Sequence, residues 1–239
     1  MSVLTLRLAG PLQSWGATAR FARRTTESAP TKSGVIGLLA AAAGIDRQDE
    51  AGLRPLAALR FGVRIDQPGT RIRDFHSAHH GDTGKSMPLS ERFYLADAVF
   101  VAAVEGEAQL LHRLHAALRD PVYAPFLGRR SCPPAQPVEL RVREDADLHR
   151  ALAAEPWQAS LWYRGRHREA TVRLDVLREA SGGAEGEPGD VQRDQPLSFS
   201  PAQRRYALRT VVTTTVDVPH PGVPQQRHDP FEALEEESP

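Results

Sequence analysis

Residues 24–44 read RTTESAPTKSGVIGLLAAAAG. From Ser33 to Ala43 the stretch is apolar nearly all round and rich in Ala and Gly, which predicts a helix lying closely against a sheet rather than on the surface. Gly44 supplies its stop. Upstream, VLTLRL at 3–8 puts Leu4, Leu6 and Leu8 on one face and Thr5 and Arg7 on the other, the period-two pattern of a half-buried strand. Downstream, ALRFGVRID alternates Leu59, Phe61, Val63 and Ile65 with Arg60, Arg64 and Asp66, a second strand closed by the turn QPGT. Residues 71–90, RIRDFHSAHHGDTGKSMPLS, begin with alternation and dissolve into Gly, His, Asp and Ser, as a protruding hairpin would. Val99–Val104 reads as a buried strand, and Leu110, Leu111, Leu114, Ala117 and Leu118 form a helical stripe that Asp120-Pro121 ends. A last strand near PVELRVR at 137–143 completes the order. The chain is therefore expected to be α+β, with a ferredoxin-like β-α-β-β-α-β core over residues 1–143 and a finger at about 67–95.

The remainder, 144–218, reads as a mostly β C-terminal extension. QASLWYRG and REATVRLDVL are expected to pair across Gly165, and RRYALRTVVTTTVDV at 204–218 is a strong strand candidate. SGGAEGEPGD at 181–190 lacks the apolar residues to build a core. Residues 219–239 read as an acidic, flexible tail.

Composition narrows the partners. The chain has 239 residues, enough for a sizeable core, and 30 Lys+Arg balance 30 Asp+Glu. The balance is uneven: residues 1–141 carry 18 cations against 13 anions, and residues 142–239 carry 12 against 17. The basic half is the better face for a polyanion. Only Lys32 and Lys85 are lysines. An arginine excess suits bidentate phosphate contacts, and a GC-rich genome explains it equally well. The single cysteine, Cys132, gives neither an intramolecular disulfide nor a metal framework, so a reducing, cytoplasmic setting is expected. No export signal or membrane span is read, and no metal or cofactor is expected.

Lys32-Ser33 before a helix raises the question of a P-loop. That motif needs glycine directly before the lysine and again five residues earlier, and Thr31 and Thr26 stand there. A nucleotide triphosphate is thereby excluded. A helix start at Thr31, Lys32, Ser33 and Gly34 still suits a single phosphate, with an ordinary N-cap as the alternative. The preceding loop mixes Gln13, Ser14 and Trp15 with Arg20, Phe21, Arg23, Arg24 and Thr25, a combination suited to single-stranded RNA. The same rings would serve equally as core lids and the arginines as solvated surface. In FLGRRSCPP at 126–134, Gly128 permits a turn that presents Arg129, Arg130 and Ser131 as a phosphate contact, or lets them pair locally. His112 and His115 have no companion ligands for a metal. Arg71, Arg73, His76, His79, His80 and Lys85 lie in the finger, where the histidines could do acid-base chemistry on RNA or simply touch a strand or a neighbouring protein.

Taken together, LRLAGPLQSWG at 6–16, the run at 23–44, DFHSAHH at 74–80, YLADAVFVAAV at 94–104 and FLGRRSCPP at 126–134 resemble the CasD family of type I-E CRISPR Cascade subunits. The resemblance implies a RAMP-type, RRM-like fold and a non-catalytic role. Such a subunit grips the 5′ handle of crRNA, contacts a backbone subunit and the large PAM-reading subunit, and meets target DNA only indirectly. It further implies RNA contacts from Gln13 to Thr25, Lys32 to Gly34 and Arg129 to Ser131, with the finger reaching RNA or a neighbouring subunit. A related type I-C subunit cleaves repeat RNA with Tyr, Lys and His side chains. Here His79-His80 does not make the Lys-His pair and Lys85 stands apart, which argues against carrying that activity over. The alternative function is a metal-independent endoribonuclease acting on repeat RNA.

Overall fold

The structure, a computed structural model, describes residues 1–16, 23–180 and 187–222. In chain order the elements are β1 (Ser2–Ala9), β2 (Leu12–Gln13), β3 (Arg23–Arg24), α1 (Lys32–Ala42), α2 (Glu50–Ala57), β4 (Arg60–Gln67), β5 (Thr70–His76) and β6 (Ser90–Ala96). They continue with β7 (Val99–Gly106), α3 (Ala108–Arg119), β8 (Glu139–Arg143), α4 (Leu148–Ala154), α5 (Leu161–Arg164), β9 (Thr171–Glu179), β10 (Asp190–Ser198) and β11 (Arg205–Pro219). Seven strands form one sheet in the order β10-β11-β9-β4-β7-β1-β8, and every neighbouring pair is antiparallel. The architecture is α+β, with a large antiparallel sheet and few helices.

Alternation along β1 assigns its two faces. Leu4, Leu6 and Leu8 enter a core completed by Val35, Ile36 and Leu39 of α1 and Leu111, Leu114 and Leu118 of α3. Burying each such leucine stabilises the fold by about 1.5–3 kcal/mol. Val3 points the other way, into a second core with Val101, Leu148, Leu152 and Trp157. The sheet is thus covered on both sides, and Thr5 is fully buried rather than wet.

This second face carries a polar knot. Arg64 is fully buried and forks onto Asp66, with Nε to Oδ1 at 2.7 Å and Nη2 to Oδ2 at 2.9 Å. Its remaining N–H groups donate to the carbonyls of Leu152, Glu155 and Pro156 at the end of α4. One guanidinium therefore caps a helix C-terminus and neutralises a carboxylate. Burial pushes the Asp66 carboxyl above its usual range, against the pull of Arg64. Glu155 beside it accepts from Thr5 Oγ1 and Arg143 Nε, both at 3.0 Å.

The strand expected over 158–165 is instead the loop leading into the single turn of α5. The backbone N–H groups that a ladder would need are taken by side chains: Gln158 N donates to Asp66 Oδ2 at 2.6 Å and Ser160 N to Gln67 Oε1 at 3.1 Å. Trp157 is anchored below by its Nε1 on Asp66 O at 2.9 Å. β9 pairs with β11 and β4, so the strands of the C-terminal segment extend the main sheet. β10 lies at the sheet edge, where Pro196 is tolerated because its missing donor would face outward.

β5 and β6 form a hairpin with Thr70 opposite Ala96 and His76 opposite Ser90, and its tip is closed by a bridge between His79 and Ser86. β2 pairs with β6 at the hairpin base and β3 with its outer end, which ties the hairpin to the loops on either side of residues 17–22.

Candidate nucleic-acid interface

The three residues chosen from the first loop for an amide, a hydroxyl and a stacking face are buried. Gln13 and Trp15 are fully enclosed and Ser14 nearly so. Gln13 Nε2 donates to Leu8 O at 3.0 Å and Ala98 O at 2.7 Å, and its Oε1 accepts from Trp15 Nε1 at 3.0 Å. Ser14 Oγ donates to Phe93 O at 3.1 Å. The indole packs so closely on α1 that a Cβ on Gly34 would lie 2.8 Å from its ring. Trp15 is a core pin, with no face left for a base, and the RNA contacts expected of Gln13, Ser14 and Trp15 are corrected accordingly.

Gly128 completes the same knot. Its φ is +82°, and a Cβ there would sit 1.9 Å from the carbonyl oxygen of Ser14. Gly128→Ala is expected to destabilise the protein by about 2–4 kcal/mol, combining left-handed backbone strain with overpacking. A thermal melt checks this, and a melting temperature equal to the wild type's would contradict the described contact.

The helix start also differs from the phosphate seat expected of it. Thr31 is the N-cap, accepting from Gly34 N at 3.3 Å. The orphan N–H of Lys32 donates to Asp194 Oδ2 at 2.7 Å, and Arg209 holds that carboxylate from the other side, Nη2 to Oδ2 at 2.9 Å. The anion that the helix N-terminus attracts is thus the chain's own. Lys32 is buried, and its Nζ lies 2.8 Å from Glu179 Oε1. Desolvation lowers its pKa, and Glu179 opposes that shift. Lys32→Met is expected to lower stability by about 1–3 kcal/mol through the abandoned carboxylate while leaving RNA affinity within about twofold. Melting and RNA titration of the same sample separate these outcomes.

Ser33 and Gly34 border a groove of about 1050 Å³ that also gathers Arg24, Arg129, Arg130 and Ser131. Its floor is the small-residue side of α1, Gly34, Gly37, Ala40 and Ala41. Three further arginines, Arg47, Arg92 and Arg204, reach it, against one carboxylate, Asp46. Arg129 is spent on structure: it donates to Phe93 O at 3.2 Å and Arg24 O at 2.9 Å and lies over the Tyr94 ring at 4.8 Å. The other five, Arg24, Arg47, Arg92, Arg130 and Arg204, make no side-chain hydrogen bond or ion pair among the described residues, and Arg92 Nε is buried without a partner. Five permanently charged forks facing one cavity favour an anionic occupant. Tyr123, Phe126, Phe199 and Tyr206 add aromatic faces.

Arg47, Arg92 and the Arg204–Tyr206 pair were not anticipated, because they come from three separate segments that no local window joins. Tyr123 lies just ahead of the FLGRRSCPP motif and was within reach of it. Of the earlier candidates, Arg23 lies outside the groove, exposed, 3.8 Å from Glu91 and over the Phe93 ring. Thr25 offers its carbonyl to Arg129 at 3.5 Å. Arg20 lies outside the described residues. In the finger, Arg71 is tied to Thr26 O, Arg73 lies 3.9 Å from Glu91, and His79 and Lys85 are exposed at the tip. His76 Nε2 lies 2.7 Å from Asp74 Oδ2.

The α+β scaffold thus carries a groove lined by arginines that have no carboxylate partner among the described residues. The chain belongs to the CRISPR-associated protein (Cas_Cas5) family, whose model matches residues 3–212. It is 36% identical over 199 residues to the CRISPR system Cascade subunit CasD of Escherichia coli (strain K12), covering 74% of this chain and 89% of that protein. Among solved structures it is similar to a Cas protein crystal structure, with 37% identity, a TM-score of 0.68 and coverage of 93% of this chain and 97% of that one. It is also similar to a chain of a CRISPR RNA-guided surveillance complex, with 34% identity, a TM-score of 0.71 and coverage of 98% of both chains.

Proposed function

We propose that this chain is the non-catalytic subunit that holds the 5′ handle of crRNA in a Cascade complex, with the arginine groove as the seat of the RNA. The observation that carries the reading is the set of five guanidinium groups, Arg24, Arg47, Arg92, Arg130 and Arg204, around one cavity with no carboxylate partner among the described residues. Similarity to a Cascade subunit and to a chain of an RNA-guided surveillance complex supports it. On this reading β1-α1-β4-β7-α3-β8 is the ferredoxin-like unit, since these four strands are adjacent in the order β4-β7-β1-β8 with α1 and α3 sharing one core. The β5–β6 hairpin, with exposed Ile72 and Phe75 beside Arg71 and Arg73, is the finger that meets RNA or the neighbouring backbone subunit. The large PAM-reading subunit is the other partner, and target DNA is met through it.

Anisotropy titration of the full chain with labelled handle RNA tests the reading. Saturable binding that weakens steeply with salt is expected, and affinity no better than that of an uncharged dextran control would overturn it. A second reading, metal-independent cleavage of repeat RNA, draws on the Asp74–His76 contact in the finger. Incubation with repeat RNA in EDTA decides between them: uncut RNA is expected, whereas site-specific cleavage lost in His76→Ala would favour the enzyme.

A further inference from the structure

We infer that the connection between β10 and β11, with Tyr206 just beyond it, is a second nucleotide-contacting wall of the groove, so that an unpaired base lies on the small-residue floor of α1 against this wall. The inference rests on the RNA reading above and extends it to the C-terminal strands, which carry no RNA-contact signal in the sequence. Gly34, Gly37, Ala40 and Ala41 lie three and four residues apart or adjacent, on one side of the helix, and nothing longer than a methyl group rises from them. With Trp15 already covering the Gly34 end, a flat ring can come close to the helix beside Gly37 and Ala41. Phe199 stands over this floor, its ring 3.8 Å from where a Cβ on Gly37 would be. The Tyr206 ring lies 6.5 Å from it at 57°, half-buried and lining the groove.

Two neighbouring arginines then divide their roles. Arg205 turns back to Glu50 of α2 at 3.2 Å, while Arg204 lines the groove, exposed and without a partner among the described residues. A phosphate beside Tyr206 gives Arg204 its counter-charge, and the ring gives the base its stack, the pairing by which single strands are held without duplex geometry. The wall is also fixed in place. Asp194 of β10 holds both Lys32 N of α1 and Arg209 of β11, and Gln195 Nε2 donates to Ala57 O at 2.7 Å. The strands beside the wall are thereby fastened to the helices beside the floor, so little ordering remains to be done on binding.

The test uses the full chain and fluorescein-labelled oligouridylate of about ten nucleotides, a length that spans a groove of this kind. Tyr206→Ala should weaken binding about fivefold or more, the loss of one stack, while Tyr206→Phe, which keeps the ring, should bind as the wild type does. Arg204→Ala should weaken binding and flatten its salt dependence; being exposed, it carries the test if Tyr206→Ala fails to fold. Photocrosslinking with 4-thiouridine RNA should label the peptide holding residues 199–206. If Arg130→Ala weakens binding but Tyr206→Ala and Arg204→Ala do not, and crosslinks avoid 199–206, the wall is refuted while the RNA reading stands. Failure of the wild type to bind any RNA would instead remove the reading beneath it.

Discussion

Replacing Arg24, Arg92 and Arg130 together by alanine should lower affinity for single-stranded RNA by about a thousandfold at moderate salt, roughly tenfold for each lost charge-assisted contact. The plot of log affinity against log salt should become shallower by about 2, because each phosphate contact on a single strand contributes about 0.7 to that slope. The fold should be untouched. None of the three side chains hydrogen-bonds or ion-pairs with another described residue, and Arg92 Nε is already a buried donor with nothing to bond. Removing them relieves mutual repulsion rather than breaking contacts, so a melting temperature equal to or above the wild type's is expected. Anisotropy at several salt concentrations, with a melt of each sample, reads both quantities; unchanged affinity and slope would mean that the groove takes something other than a nucleic acid.

The second large effect belongs to the opposite face of the sheet. Arg64→Met should destabilise the protein by about 3–5 kcal/mol, since it leaves Asp66 buried and uncompensated. For a chain of this size that corresponds to a fall of roughly 6–20 °C in melting temperature. The carbonyls of Leu152, Glu155 and Pro156 lose their donor in the same step, so the end of α4 should loosen first. Arg64→Met with Asp66→Leu should recover only part of the loss, because the uncompensated carboxylate is gone while the three carbonyls and the Gln158 N–H stay without partners. RNA affinity measured well below the melting transition should be that of the wild type. A single variant as stable as the parent would contradict the description of this knot.

Much of the scaffold was legible in the sequence because its signals are local. Period-two runs such as VLTLRL and ALRFGVRID mark β1 and β4, and the Leu111-Leu114-Leu118 stripe marks α3. What misled was chemistry supplied from far along the chain. Residues 158–165 have strand composition, yet Asp66 and Gln67, about ninety positions earlier, take the N–H groups that a ladder would use. β10 escaped notice because Pro196 and a polar composition argue against a strand, and only its place at the sheet edge makes both acceptable.

The site divides in the same way. Arg24, Ser33, Gly34, Arg130 and Ser131 were marked from local motifs and do meet at one groove. Lys32 and Trp15 were marked for the same reason and serve the core instead. A lysine at a helix start looks identical in sequence whether its counter-charge is a phosphate or Glu179, since only the tertiary pairing of β9 with β11 brings Glu179 and Arg209 into range. Arg47, Arg92 and Arg204 carried no local signal at all. Their shared property, the lack of a carboxylate partner among the described residues, exists only once the chain has folded.

The most direct test of the RNA seat is protein–RNA crosslinking with peptide mapping on the complex assembled with its guide. Crosslinks from the 5′ handle to the peptides bearing Arg24, Arg92 and Arg130 are the predicted result. Crosslinks to this chain found only from the 3′ end of the guide, or only on surfaces away from the groove, would contradict it.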